Sequence, residues 1–239
     1  MRRLMKIVYG PIESLGLGRV IAVDPISRSP KVCNLNCIYC PLGCGGIVLL
    51  DRSDFIDDAS ILEHIGECLR REECEAVMFK GTGEALLARN IFRMARVLRE
   101  GSGKKVVLFT NSTLLGDPEV LEQLDAFDII IAKLDAASEE TFRTVNRPHH
   151  SIRFHDVLEG LRKAKDSFGG SFRMQVTLVR ENLSDVESIS QICREMCPDY
   201  VYLESPEGCD PFHTVCRKDM QTAMDRFFGI KCISSQDKE

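Results

Sequence analysis

Short apolar runs alternate along this chain with stretches whose apolar residues recur at helical spacing, and that alternation restricts the fold more than any other feature. Val20-Ile21-Ala22-Val23, bounded by glycine and by Asp24-Pro25, reads as a buried strand. Ala76-Val77-Met78-Phe79, the segments 105–110, 128–132 and 172–179, and Val201-Tyr202-Leu203 read the same way. Helices fall between them. Asp57-Asp58 opens one with Ile61, Leu62, Ile65, Cys68 and Leu69 on a single face, and Leu87, Ile91, Met94 and Leu98 mark another that Gly101 stops. Further helices are expected near 118–124, over 152–168 and, with Ser184 and Glu187 as a capping box, along Val186, Ile189, Ile192, Cys193 and Met196. Six strands alternating with helices require a parallel sheet, and right-handed crossovers leave an open doubly wound sheet or a full or partial barrel. Periodicity does not choose between these.

The 239 residues suit one domain with a substantial core. With 44% hydrophobic and 28% charged residues, the composition is that of a soluble globular protein. A net charge of −5 argues against wrapping nucleic acid by bulk charge. No apolar run approaches the roughly 18 residues that span a bilayer, and the basic start Met1-Arg2-Arg3 has no apolar stretch behind it. A cytoplasmic location with no membrane partner is expected. Eleven cysteines then point to reduced, metal-binding thiols rather than to disulfides.

Three of those cysteines lie in the loop after the first predicted strand, as Cys33-Asn34-Leu35-Asn36-Cys37-Ile38-Tyr39-Cys40, with Cys44 following. Thiolates at C-x3-C-x2-C spacing can converge on one iron–sulfur cube, and three ligands would leave one iron open to a substrate. A zinc knot using all four cysteines, or ordinary buried thiols, are the alternatives on spacing alone. Gly81-Thr82-Gly83-Glu84, Thr110-Asn111 and Lys133-Leu134-Asp135 all fall at C-terminal strand ends, where α/β sheets and barrels place ligands. A zinc knot would not require them.

The cysteine loop, with an aromatic residue before its last cysteine, resembles that of the radical S-adenosylmethionine (SAM) superfamily. Tyr9-Gly10-Pro11, Leu17-Gly18-Arg19, Asp24-Pro25, Cys40-Pro41-Leu42-Gly43, Gly81-Thr82-Gly83-Glu84, Thr110-Asn111-Ser112, Lys133-Leu134-Asp135-Ala136 and Asn146-Arg147-Pro148-His149 extend the likeness in order from about Tyr9 to Asn182. They resemble the small archaeal-type Fe-S oxidoreductases related to the tRNA wybutosine enzyme, 4-demethylwybutosine synthase. The resemblance implies an α/β fold, a partial (β/α)6 barrel over residues 1–205 with a cluster loop at 24–46; the stretch 206–239 reads as an irregular extension with one short helix around Lys218 to Phe228. The resemblance further implies a 4Fe-4S cluster on Cys33, Cys37 and Cys40, SAM bound at the open iron, and an external one-electron reductant of ferredoxin or flavodoxin type. Reductive cleavage of SAM would give a 5'-deoxyadenosyl radical that takes hydrogen from a protein residue or a small molecule, in oxygen-sensitive chemistry.

The same resemblance distributes roles. Gly81 and Gly83 line the cofactor, Gly83 by close backbone approach, and Glu84 accepts from the methionine ammonium or is simply a helix-start acid. Asn111 fits a ribose hydroxyl or forms a turn. Tyr39 lies on the adenine side of the cluster or packs in its loop. Lys133 and Asp135 point into the barrel mouth as catalytic groups or pair with each other, and Gln175 and Thr177 touch SAM or fill the barrel. Among the other cysteines, Cys68 and Cys193 read as core, whereas Cys197, Cys209, Cys216 and Cys232 could carry a second cluster. Cys44 as a fourth ligand would block the open iron.

Two other functions compete. Arg143, Arg147, Arg153, Arg162, Lys163 and Lys165 could form a tRNA footprint or a solvated helix face. The chain has no cysteine before Cys33 and no evident counterpart of the wybutosine enzyme's tRNA-facing C-terminal region, which weakens that reading. A zinc-stabilised binding module without catalysis is the third.

Overall fold

The computed structural model describes residues 6–14, 16–206 and 211–235. Its strands are β1 Val8–Ser14, β2 Gly18–Val23, β3 Val32–Cys33, β4 Ile47–Val48, β5 Ala76–Phe79, β6 Lys105–Thr110, β7 Ile129–Lys133, β8 Ser171–Thr177, β9 Tyr200–Glu204 and β10 Cys232–Ser234. The helices are α1 Asp58–Arg71, α2 Ile91–Gly101, α3 Pro118–Leu121, α4 Glu139–Val145, α5 Phe154–Ser167, α6 Val186–Met196 and α7 Arg217–Arg226. One sheet of eight strands runs in the order β1-β2-β5-β6-β7-β8-β9-β10, open and strongly curled. It is the expected partial barrel, and β2, β5, β6, β7, β8 and β9 are the six strands legible in the sequence. All of these pair in parallel.

The strands read as unbroken apolar runs because both faces of the sheet are covered. Ile130 and Ala132 of β7 join Val77 and Phe79 of β5 in the cluster beneath the helices. Their neighbours Ile129, Ile131, Ala76 and Met78 fill the inside of the curl with Val20, Val107 and Tyr202. Each buried Val, Ile, Met or Phe among them contributes about 1.5–3 kcal/mol by leaving water. The helices start where their caps allow: Asp57 accepts from the Ser60 N–H at 2.8 Å and Asp117 from that of Glu119 at 2.8 Å. No helix among the described residues is long and apolar enough to cross a membrane.

The structure departs from the sequence reading in four places. An antiparallel strand, β1, flanks β2. In the C-terminal stretch the expected short helix is present as α7, and it leads into a strand that the sequence did not suggest, β10, which pairs in parallel with β9. α4 was not foreseen; Ser138 caps it through the Thr141 N–H at 3.1 Å. The Ser184 capping box does not form. Residues Arg180–Asp185 make 3-10 turns, α6 begins without a side-chain cap, and Glu187 pairs instead with Arg194 and Arg226, each at 3.2 Å.

Candidate cluster and cofactor site

The site is built on the turn that ends β5. Val32 N–H donates to the Thr82 carbonyl at 3.0 Å and Glu84 N–H to the Val32 carbonyl at 3.1 Å, so the cysteine loop rests on residues 82–84 as a short extra strand rests on a sheet. Gly83 makes this fit: at φ +148° it places its Cα where an added Cβ would stand 1.6 Å from the Val32 carbonyl oxygen. Gly81 is equally constrained, since a Cβ there would lie 2.0 Å from Asp24 Oδ1. Asp24 in turn fixes the loop's entry by accepting from Ile26 N–H at 3.0 Å and Thr82 Oγ1 at 2.7 Å. The loop's far side is held by α4 through Asn36 N–H to the Asn146 carbonyl at 3.0 Å and Ile38 N–H to that of Val145 at 2.9 Å.

These ties bring Cys33, Cys37 and Cys40 onto the wall of one cavity of about 470 Å³. The same cavity is lined by Tyr39, Gly81, Gly83, Glu84, Asn111, Lys133, Gln175 and Thr177, so eleven of the twelve expected site residues meet there. A larger groove of about 710 Å³ between α1 and β1, lined by Lys6, Arg28, His64 and Cys68, contains none of them. Burial pushes the Cys33 thiol up to about 12 and raises that of Cys37 as well. Thiols in such surroundings stay protonated until a positive metal displaces the proton.

Asp135 stands one layer behind the wall. Its Oδ2 accepts from the Tyr39 hydroxyl and from Asn146 Nδ2 at 2.8 Å, and its Oδ1 from Thr177 N–H at 2.7 Å. Lys133 Nζ completes the set, 3.3 Å from Asp135 Oδ1, while donating to Thr177 Oγ1 at 2.6 Å. The ion pair weighed in the sequence reading is therefore present, with Lys133 at the cavity and Asp135 as its anchor. Burial and the Asp135 carboxylate hold the Tyr39 hydroxyl well above its ordinary pKa.

Glu84 is buried, and burial raises its pKa. It accepts from Leu86 N–H at 3.1 Å and Thr110 Oγ1 at 2.7 Å through Oε1, and from Asn111 N–H at 2.7 Å through Oε2. The helix-start role is thus realised, and one lone-pair direction of Oε2 is left for a ligand. Asn111 is also committed: its amide donates to Asn34 Oδ1 at 2.8 Å and toward Cys33 Sγ at 3.6 Å, and its oxygen accepts twice from Thr113. A ribose contact would have to exchange one of these.

Sequence reasoning missed Asn146, whose Nδ2 also approaches Cys37 Sγ at 3.5 Å. It stands in the quoted Asn146-Arg147-Pro148-His149 motif, the one signal that could have found it. Tyr9, Lys80, Phe109 and Glu204 also line the cavity. Of the basic residues, Arg143 is tied to Glu139 at 2.6 Å and to the Ile152 carbonyl at 2.8 Å, and Arg162 to Glu195 at 3.7 Å. Cys193 is buried and Cys68 half-buried, while Cys44, Cys197 and Cys216 are exposed and Cys232 half-buried. Cys209 lies outside the described residues. Among the described residues no three or more His, Cys, Asp or Glu side chains are gathered as around a single metal ion.

Residues 29–192 match the family described as the Radical SAM superfamily. The chain belongs to the radical SAM superfamily. It is 32% identical over 173 residues to a UPF0026 protein of Synechocystis sp., covering 72% of this chain, and 27% identical over 209 residues to one of Methanocaldococcus jannaschii, covering 84%. The matches span 64% of each relative's length. Among solved structures, a radical SAM methyltransferase from Sphaerobacter thermophilus superposes with a TM-score of 0.71 at 16% identity, covering 90% of this chain and 65% of that one. A structure of TYW1 with a lysine-pyruvate adduct bound gives 0.68 at 15%, covering 89% and 74%.

Radical SAM enzymes use a 4Fe-4S cluster and SAM. The residues present fit both groups. Three soft thiol donors from one short loop line a single cavity, as a cluster with one open iron requires. On the wall of the same cavity, Gln175 Oε1 is buried without a hydrogen-bond partner, an acceptor that a polar ligand would satisfy.

Proposed function

We propose that this protein binds a 4Fe-4S cluster through Cys33, Cys37 and Cys40 and SAM beside it, and acts on a protein residue or small molecule by hydrogen abstraction. When bound, the cluster supplies one electron that splits SAM into methionine and a 5'-deoxyadenosyl radical. The protein's own groups bind, orient and exclude water. Gly81 and Gly83 bring backbone against the cofactor, Glu84 offers its remaining Oε2 lone pair to an ammonium, and Gln175 Oε1 accepts from a donor on the ligand. Lys133, steadied by Asp135 and Thr177, places a cation at the cavity, and Tyr39 packs beneath it with Lys133 Nζ 5.1 Å from its ring centre. Asp135 is a positioning residue in this scheme. The electron comes from an external reductant of ferredoxin or flavodoxin type.

One observation carries this reading: the three thiols and the unpartnered Gln175 acceptor line the same cavity. The open curl of the sheet supports a bulky substrate that covers the cavity itself. The test is reductive SAM cleavage by anaerobic, iron-reconstituted protein with dithionite, assayed for 5'-deoxyadenosine beside a Cys33/Cys37/Cys40→Ala variant. Product from the wild type alone is expected. Zinc in place of iron, with no product from either protein, would sink the proposal.

A further inference from the structure

Two asparagine amides from separate elements reach two of the three cluster thiols. Asn111, directly after β6, places Nδ2 at 3.6 Å from Cys33 Sγ, and Asn146, the C-terminal cap of α4, places Nδ2 at 3.5 Å from Cys37 Sγ. Cys33 Sγ also accepts from Leu35 N–H at 3.4 Å. Neither amide is free to turn away. Asn111 is held by Asn34 Oδ1 at 2.8 Å and by Thr113, and Asn146 by Asp135 Oδ2 at 2.8 Å. Among the described residues no side-chain donor reaches the Cys40 sulfur, so the arrangement is lopsided across the three ligands.

We propose that Asn111 and Asn146 are positioning residues that tune the cluster, each aiming an N–H at one ligand sulfur and so raising the potential at which the cluster accepts its electron. The inference rests on Cys33, Cys37 and Cys40 being the ligands. Its sign follows from charge. Taking one electron from the reductant adds negative charge that spreads onto the thiolates, and an N–H directed at sulfur stabilises the reduced form more than the oxidised one. Removing the N–H lowers the potential. Because each amide is locked by a second bond into the fold, the donors are in place before the cluster arrives and need no reorganisation when the electron does.

The test compares wild type, Asn111→Leu and Asn146→Leu, each reconstituted anaerobically without SAM. Iron and sulfide content is measured first, followed by a redox titration of the paramagnetic reduced cluster. The expected result is an intact iron–sulfur chromophore throughout, with both variants shifted to more negative midpoints and the ratio of reduced to oxidised cluster at a fixed potential lowered about fivefold by each substitution. Asn146 is buried against Asp135, so if Asn146→Leu fails to fold, the half-buried Asn111→Leu carries the measurement. Unchanged midpoints with full clusters would overturn the inference. So would folded variants that lose the cluster, since the amides would then serve assembly and not potential. A wild type with no chromophore would instead overturn the ligand assignment beneath it.

Discussion

The hydroxyl of Tyr39 donates to Oδ2 of Asp135, tying the residue between two proposed cluster ligands to the end of the strand that carries Lys133. Asp135 is 3% exposed and serves four donors, so Asp135→Ala leaves the Tyr39 hydroxyl, Asn146 Nδ2, Thr177 N–H and the Lys133 ammonium without their shared acceptor. We expect a loss of about 3–5 kcal/mol in urea denaturation. Tyr39→Phe removes one donor and should lose only about 1 kcal/mol. Equal losses would contradict the network.

Gly83→Ala should be far more damaging than its size suggests. Its Cβ would meet backbone, the Val32 carbonyl, which no side-chain rotation relieves. A loss of at least about 4 kcal/mol is expected, together with failure to retain iron. Gly101→Ala, which opens onto empty space at the end of α2, should stay within about 0.5 kcal/mol of wild type and serves as the control.

Gln175→Leu should separate binding from stability. It deletes a buried acceptor that has no partner, so the fold should be unchanged or firmer, while SAM loses a contact and its Kd rises about tenfold by anaerobic calorimetry. An unaltered Kd would remove Gln175 from the cofactor site.

Cys193 gives a pH test away from the site. Burial pushes its thiol from the ordinary 9.0 up to about 12, so the unfolded chain ionises there first. Its stability contribution is full below pH 9 and fades as the pH climbs toward 12. Relative to Cys193→Ala, wild type should lose about 1.3 kcal/mol of its advantage between pH 8 and pH 10 in urea denaturation. A gap that does not narrow would show that burial leaves this thiol unperturbed.

What could be read from the sequence, and what could not, has a physical pattern. The central strands were legible because burial on both faces makes them continuous apolar runs, as in Ile129 to Ala132. α4 was not, because seven residues carrying only Phe142 and Val145 as buried positions are too few to display a helical period. β10 has only three residues and gains its place from β9, not from its own pattern. Within the site, motif and spacing located the thiols, the glycine turn and the strand-end groups. The layering of Asp135 behind Lys133, and the part played by Asn146, depend on contacts between residues 42 and 109 positions apart and leave no periodic trace.

That separation also bears on the order in which the fold can form. The backbone and amide that hold the loop of Cys33, Cys37 and Cys40 belong to Val145 and Asn146, more than a hundred residues later in the chain. Closing so long a span is slow beside local folding. A chain cut short before α4 would keep all three thiols yet lose the backbone and amide that give their loop its shape.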